Sequence, residues 1–183
     1  MRNHIVQIVA ADFFVVPTVT YRLLFVLVLL AHDRRRIRHI AVTAHPTAAW
    51  TAQQLREAFP WNEVPRYLLH DRDHAFDRVG ATAKGMGMEE VLTAPRAPWQ
   101  NAFVERFIGS ARRECCDHVI VFNEAGLHRL MTLYRSYYKQ SRTHLALNKD
   151  APIPREIAVP NDGRVVAIPQ VGGLHHRYER QAA

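Results

Sequence analysis

The sequence predicts a single α/β domain built around a mixed five-stranded sheet flanked by helices, and three observations carry that expectation. Runs rich in Val, Ile, Leu and Phe recur at strand length between turn residues. Two later stretches instead space their apolar residues at helical intervals. In chain order the segments read β-β-β-α-β-α-β-α-α, with no internal repeat, and 183 residues suffice for one buried core but not for two full domains.

The first strand is expected from His4 to Val16, closed by Pro17, with Asp12 inside it. A second covers Tyr21 to Ala31, the basic HDRRR segment turns the chain, and Ile37 to Thr43 returns as a third. Thr47 can cap a helix running to Ala58, with Ala48, Ala49, Leu55 and Phe59 on or near one face and Pro60 as its stop. Arg66 to His70 is a short strand with Asp71 at its C-terminal end, where functional groups gather in sheets with helical crossovers. A weak helix over 74–85 leads to a fifth strand, Glu89 to Thr93. Two prolines keep residues 94–100 irregular, and Asn101 can cap the helix that carries Phe103, Val104, Glu105, Phe107 and Ile108. A last amphipathic helix spans Glu124 to Lys139, with Leu127, Leu130, Met131, Tyr134, Tyr137 and Tyr138 as its stripe. Residues 1–145 are expected to form the core, and residues 146–183 a basic tail containing proline and glycine, with a possible small hairpin from Arg164. This element order is that of ribonuclease-H-like domains.

Composition narrows the function classes. Lys and Arg outnumber Asp and Glu by 24 to 17, almost entirely through arginine, whose planar fork suits phosphate; a polyanionic partner, nucleic acid first, is expected. The most apolar run, residues 21–31, is too short for a bilayer, which needs about 20 residues as a helix, so no membrane role is expected. No export signal is read in the first residues, and Cys115 and Cys116 are adjacent, a poor geometry for a mutual disulfide, so a cytoplasmic protein is expected. Cys115, Cys116 and His118 lack the spacing of a structural zinc site. His175, His176 and the Arg142-Thr143-His144 stretch read as surface or packing residues.

Three acids stand out. Asp12, Asp71 and Glu105 each lie in or beside an apolar or structured segment, where an unpaired carboxylate is costly. Converging from separate elements, they could hold the pair of hard cations that phosphodiester transfer uses. Singly, each has a plain structural reading: Asp12 bonding a neighbouring strand, Asp71 capping the next helix, Glu105 pairing with Arg106 or Arg112.

The segment LTAPRAPWQNAFVERFIGSARREC, residues 92–115, resembles the third-acid motif of transposases encoded by bacterial insertion sequences, in the DDE transposase and retroviral-integrase family. Pro98, Asn101 and Glu105 occupy the places of that family's Pro-x-x-Asn turn and helical glutamate. IVQIVAADFFVVPT resembles the first-acid strand and YLLHDRDHAF the second, with Asp73 as a less suitable rival to Asp71. The resemblance runs from about residue 4 to 178. Two departures accompany it: the Asp71 to Glu105 spacing is slightly short for the family, and the intervening segment around GATAKGMG is rich in glycine.

What the resemblance implies is a catalytic and metal-binding triad of Asp12, Asp71 and Glu105, using Mg2+ with Mn2+ as substitute, that cuts double-stranded DNA and joins its 3′ end to a target. A homo-oligomer and a nucleoid-associated location follow from the same likeness. Arg96, Trp99, Gln100 and Asn101 before the helix, and Arg106, Arg112 and Arg113 on it, are the expected DNA contacts, through phosphate pairing and, for Trp99, base stacking. Full transposases of this type carry a helix-turn-helix region before the core, whereas here eleven residues precede Asp12, so a truncated, non-catalytic DNA-binding remnant is the rival reading. A ribonuclease-H-like nuclease acting on RNA–DNA hybrids is the third, sharing the metals but not the Pro-x-x-Asn-to-glutamate motif.

Overall fold

The computed structural model describes residues 6–60, 63–94, 97–156 and 163–181. Five strands, β1 (Ile8–Pro17), β2 (Leu23–Ala31), β3 (Arg36–Thr43), β4 (Tyr67–His70) and β5 (Glu89–Leu92), form one sheet in the order β3-β2-β1-β4-β5. The β1–β2 and β2–β3 pairs are antiparallel, whereas β1–β4 and β4–β5 are parallel. This is the mixed ribonuclease-H-like sheet that the element order predicts.

Helices cover both faces, so β2 can be apolar at nearly every position. Its residues Val26, Val28 and Leu30 join one core with Val104, Phe107 and Ala111 of α3 (Ala102–Glu114) and Leu127, Met131 and Tyr134 of α4 (Glu124–Gln140). The alternate residues Leu27, Leu29 and Ala31 join the opposite core with Leu55 of α1 (Ala48–Ala58) and Val79 and Ala83 of α2 (Val79–Gly85). Alternation along a strand makes this division, since successive side chains point to opposite faces.

Local chemistry sets the helix ends. The Thr47 hydroxyl accepts from the Trp50 N–H at 3.2 Å and Asn123 Oδ1 accepts from the Gly126 N–H at 2.8 Å, two side-chain N-caps. On α1 the buried residues are Thr51, Ala52 and Leu55, with Phe59 just beyond; Ala49, expected on the inner face, is exposed. The weak helix expected over 74–85 is two pieces. A 3-10 turn at His74–Phe76 starts where Asp73 Oδ1 accepts from the Ala75 N–H, and α2 begins after it at Val79. The first strand starts at Ile8, later than expected, and residues 4 and 5 of that expectation lie outside the described residues.

After α4 the chain folds back onto the β2–β3 turn. There Arg34, held at a left-handed φ of 46°, donates to Asp150 at 2.8 Å and to the carbonyls of Ala151 and Pro152. Residues 164–181 form an antiparallel ribbon, β6 (Arg164–Gln170) and β7 (His175–Gln181), separate from the main sheet. No described helix is long and apolar enough to cross a membrane.

Candidate active site

Asp12 lies midway along β1 between Ala10 and Phe14, whose side chains belong to the core beneath α3 and α4. By strand alternation its carboxylate points to that same face. The β1–β4 register pairs Val9 with Leu68 and Ala10 with Leu69. Continued by two residues, it sets Asp71, immediately beyond the end of β4, level with Asp12.

Glu105 arrives from the other side, in the first turn of α3. The link between helix and strand is Asn101, whose side chain is buried and whose Nδ2 donates to the Ala11 carbonyl at 3.3 Å. This differs from the sequence-based expectation, because Asn101 makes no side-chain cap on α3. Its buried amide ties the helix start to the residue next to Asp12, so it also lies away from the surface on which a DNA contact would form.

The electrostatics record the proximity of the acids. The Asp12 carboxyl is pushed up to about 7, first by burial and then by the negative charges of Asp71, Glu105 and Asp73, against the opposing hydrogen bond from the Phe13 N–H. Asp73 has its own work, accepting from the Ala75 N–H at 2.8 Å, while its backbone N–H donates to Asp71 Oδ1 at 3.1 Å.

A divalent ion suits these groups because they are hard oxygen donors with uncompensated negative charge around a half-buried carboxyl. Among the described residues, no three His, Cys, Asp or Glu side chains are close enough together to share one ion. Asp71 and Glu105 are exposed, with room to change rotamer.

Behind Asp71 stands a polar arrangement that the sequence did not suggest. His70 is almost fully buried, stacked on Phe76 at 4.7 Å; its Nδ1 donates to the Asp71 carbonyl at 2.6 Å and its Nε2 faces Glu90 Oε1 at 3.0 Å. Gly80 of α2 makes room for this, since a Cβ there would lie 2.4 Å from the Glu90 carboxylate. The signal available in sequence was a polar residue ending an apolar strand, RYLLH.

The expected DNA contacts are not all alike. Trp99 is 72% exposed, and Gln100 is exposed while its Oε1 accepts from the Ala94 N–H at 2.7 Å, closing the loop. Arg106, Arg112 and Arg113 lie on the exposed side of α3, with the Arg112 guanidinium 5.5 Å from the Phe14 ring centre. Arg96 lies outside the described residues. Arg142, read from sequence as a packing residue, donates to both carboxylate oxygens of Glu114, at 2.8 and 2.6 Å, and the Tyr134 hydroxyl adds a third bond at 2.9 Å. Those donors hold the Glu114 carboxyl below its usual range despite its burial. Cys115 and Cys116 are both free thiols.

The mixed five-stranded sheet in the order β3-β2-β1-β4-β5, with helices on both faces, is the ribonuclease-H-like fold. Residues 86–152 match the family known as the integrase core domain. The chain is 29% identical over 115 residues to the uncharacterized 39.2 kDa protein of insertion element IS476 from Xanthomonas euvesicatoria; the match covers 62% of this chain and 33% of that protein. The chain therefore spans a third of the length of this relative. Among solved structures, it matches the simian T-cell lymphotropic virus intasome in complex with the PP2A regulatory subunit B56 gamma, with a TM-score of 0.61 and 14% identity over 94% of this chain and 66% of that one. The HTLV-2 integrase catalytic core domain in complex with magnesium matches with a TM-score of 0.60 and 10% identity, over 80% of this chain and 93% of that one. The BIV integrase core matches with a TM-score of 0.55 and 15% identity, over 80% and 91% respectively. Over residues 86–152 the chain is thus similar to the integrase core domain, and its fold is that of retroviral integrase catalytic cores.

Proposed function

We propose that this chain is the catalytic core of an insertion-sequence transposase, cutting double-stranded DNA at an element end and joining the freed 3′-hydroxyl to target DNA. The observation that carries the reading is the placement of three acids from separate elements: Asp12 on β1, Asp71 level with it just beyond the end of β4, and Glu105 in the first turn of the helix that Asn101 ties to β1. An ordinary core has no use for three carboxylates in such company.

Asp12, Asp71 and Glu105 would hold magnesium, for which manganese could substitute. Bound there, the metal supplies the charge stabilisation that the attacking and leaving oxygens of a phosphodiester require. Asn101 keeps Glu105 in reach by fixing the helix to β1, and His70 holds the backbone of Asp71 in place. Trp99, Gln100, Arg106, Arg112 and Arg113 would contact the duplex beside the acids, with Arg96 completing the set from outside the described residues. Joining the two ends of an element calls for more than one copy, so a homo-oligomer is part of the reading, as is a cytoplasmic, nucleoid-associated location.

Nicking of supercoiled plasmid by the purified chain, in magnesium or manganese, tests this directly. Wild type is expected to nick, while Glu105→Gln and Asp71→Asn fall to background with unchanged circular dichroism. A folded, DNA-binding wild type without nicking in either metal overturns the catalytic assignment.

A further inference from the structure

The β6–β7 ribbon segregates its charges. In its antiparallel register, Arg164 pairs with Gln181, Val166 with Glu179, Ile168 with Arg177 and Gln170 with His175 on one face. Val165 pairs with Arg180, Ala167 with Tyr178 and Pro169 with His176 on the other. The first face is half-buried except at its open end, where Arg164 and Gln181 are exposed, and it lies toward α4; on the second face Arg180 is half-buried. The first face contains the only carboxylate among the ribbon's described residues, Glu179, engaged by the Arg177 guanidinium. The second face carries Arg180, Tyr178 and His176, with no acid among them, and Tyr178 is 65% exposed.

This ribbon is anchored to the core. His175 stacks on Tyr137 of α4 at 4.3 Å, with the rings 3° from parallel, and its Nε2 donates to the Glu114 carbonyl at 2.8 Å. Val171, in the turn, is buried in the α3–α4 core. A cleft of ≈450 Å³ opens at the ribbon's root, with Ser141, Thr143, Arg155, His176 and Arg177 on its walls. The Glu114 carboxylate on the same wall is already engaged by Arg142 and Tyr134. Arg155 is exposed and forms no ion pair among the described residues, and Arg177 Nε is buried without an acceptor there. Donors without acceptors and an acid-free outer face complement a polyanion.

We propose that the outer face of the ribbon, together with Arg155 in the cleft at its root, is a second DNA-contact surface that grips the duplex backbone to one side of the acids. The inference rests on DNA being the substrate. It adds a contact that the acids and the α3 loop do not include. The geometry of α3 gives the offset: from Glu105 to Glu114, where His175 docks, the helix rises about 14 Å, equivalent to roughly four base-pair steps. A two-stranded ribbon also has the width to enter the major groove. Arginine forks on phosphate and an exposed tyrosine beside a histidine ring suit that setting.

The test is fluorescence anisotropy of the full chain with a 30-base-pair duplex across a salt series. It compares wild type, the double variant Arg155→Gln/Arg180→Gln, and Tyr178→Ala. The double variant is expected to bind at least about tenfold more weakly at moderate salt, with a log–log salt slope shallower by about 2, as for two lost phosphate contacts. Circular dichroism and melting should match wild type throughout. Because Arg180 also donates to the Gly163 carbonyl at 3.0 Å, Arg180→Lys serves as a fold control that keeps the charge and should keep the slope. If wild type binds and the double variant matches it in affinity and slope, the ribbon is not a DNA contact, while the transposase reading stands. If the variants instead weaken self-association in sedimentation without altering DNA affinity, the face pairs with a second copy and the proposal is wrong. If wild type binds no duplex, both readings fall together.

Discussion

The two halves of the main sheet are built differently. β1 and β2 run for ten and nine residues, pair along their whole lengths, and are packed on both faces by apolar side chains. β4 and β5 are four residues each, and every residue of β5 is exposed. Asp12 stands in the thick half, where packing fixes its backbone. Asp71 stands at the tip of the thin half, where few apolar contacts are available and polar ties take over: His70 to its carbonyl, Glu90 to His70, and the Asp73 N–H to its carboxylate. The difference teaches that a site can draw one ligand group from rigid packing and the next from a hydrogen-bonded bracket. The two should fail in different ways when disturbed.

The largest effect should come from the thick half. Leu27, fully buried in β2, should cost about 2–5 kcal/mol of stability when changed to Ala, read by denaturant melts. Nicking by the molecules that remain folded should persist. Arg142→Ala, which strips the half-buried Glu114 of its bidentate partner, should destabilise by a smaller amount, about 1–3 kcal/mol.

Asp12 gives a pH-dependent contrast. Its folded-state value of about 7 lies above the ordinary 3.8, so the native state holds a proton that the unfolded chain releases. That contribution is fully present below about 4 and is lost as pH rises through 7. His32 and His144, both lowered to about 4 chiefly by burial, act in the opposite sense, removing stability as pH falls from 6.5 to 4. The difference between wild type and Asp12→Asn isolates the aspartate. In the absence of metal, the variant should gain stability relative to wild type as pH rises from 4 to 7, by about 1–3 kcal/mol after allowance for partial exposure. Added magnesium should stabilise wild type at pH 7.5 and leave the variant unmoved; equal response by both would remove Asp12 from the metal site.

In the thin half the expectation reverses, with little change in stability and a clear change in function. Glu90→Gln should lower metal-dependent nicking about tenfold through a loosened Asp71, with a melting temperature close to wild type. Gly80→Val should reproduce it, because its Cβ would occupy the position of the Glu90 carboxylate. If Gly80→Val nicks normally, the bracket does not position Asp71.

Most of the fold was legible because its signals are local. Continuous Val, Leu and Phe runs announce strands buried on both faces, and Thr47 and Pro60 mark helix ends through their own side chains or rings. The three acids proposed as the site stood out in sequence because each lies in a recognisable local setting. What was missed depends on contacts between distant segments. Asn101 looks like a helix cap by position, yet its amide is buried against β1, some 90 residues earlier in the chain. His70, Gly80 and Glu90 come from three elements, and nothing in the spacing of a histidine, a glycine and a glutamate reveals that one leaves room for another. The segment from 74 to 85 reads as one weak helix because its composition is uniform, whereas the Asp73 side chain starts a separate turn.

The pairing of Ala10 with Leu69 places Asp12 and Asp71 two residues beyond a shared rung of the sheet. Such a ladder tolerates very different edits on either side. The loops among β2, β3, α1 and β4, which separate the two acids in the chain, can lengthen or shorten with the rung intact. A single residue inserted between Ala10 and Asp12 would turn the first acid onto the opposite face. Relatives of this chain should therefore vary in the lengths of the loops between the first two acids and hardly at all in the two-residue steps from rung to acid, a pattern that sequence comparison can look for without assaying any enzyme.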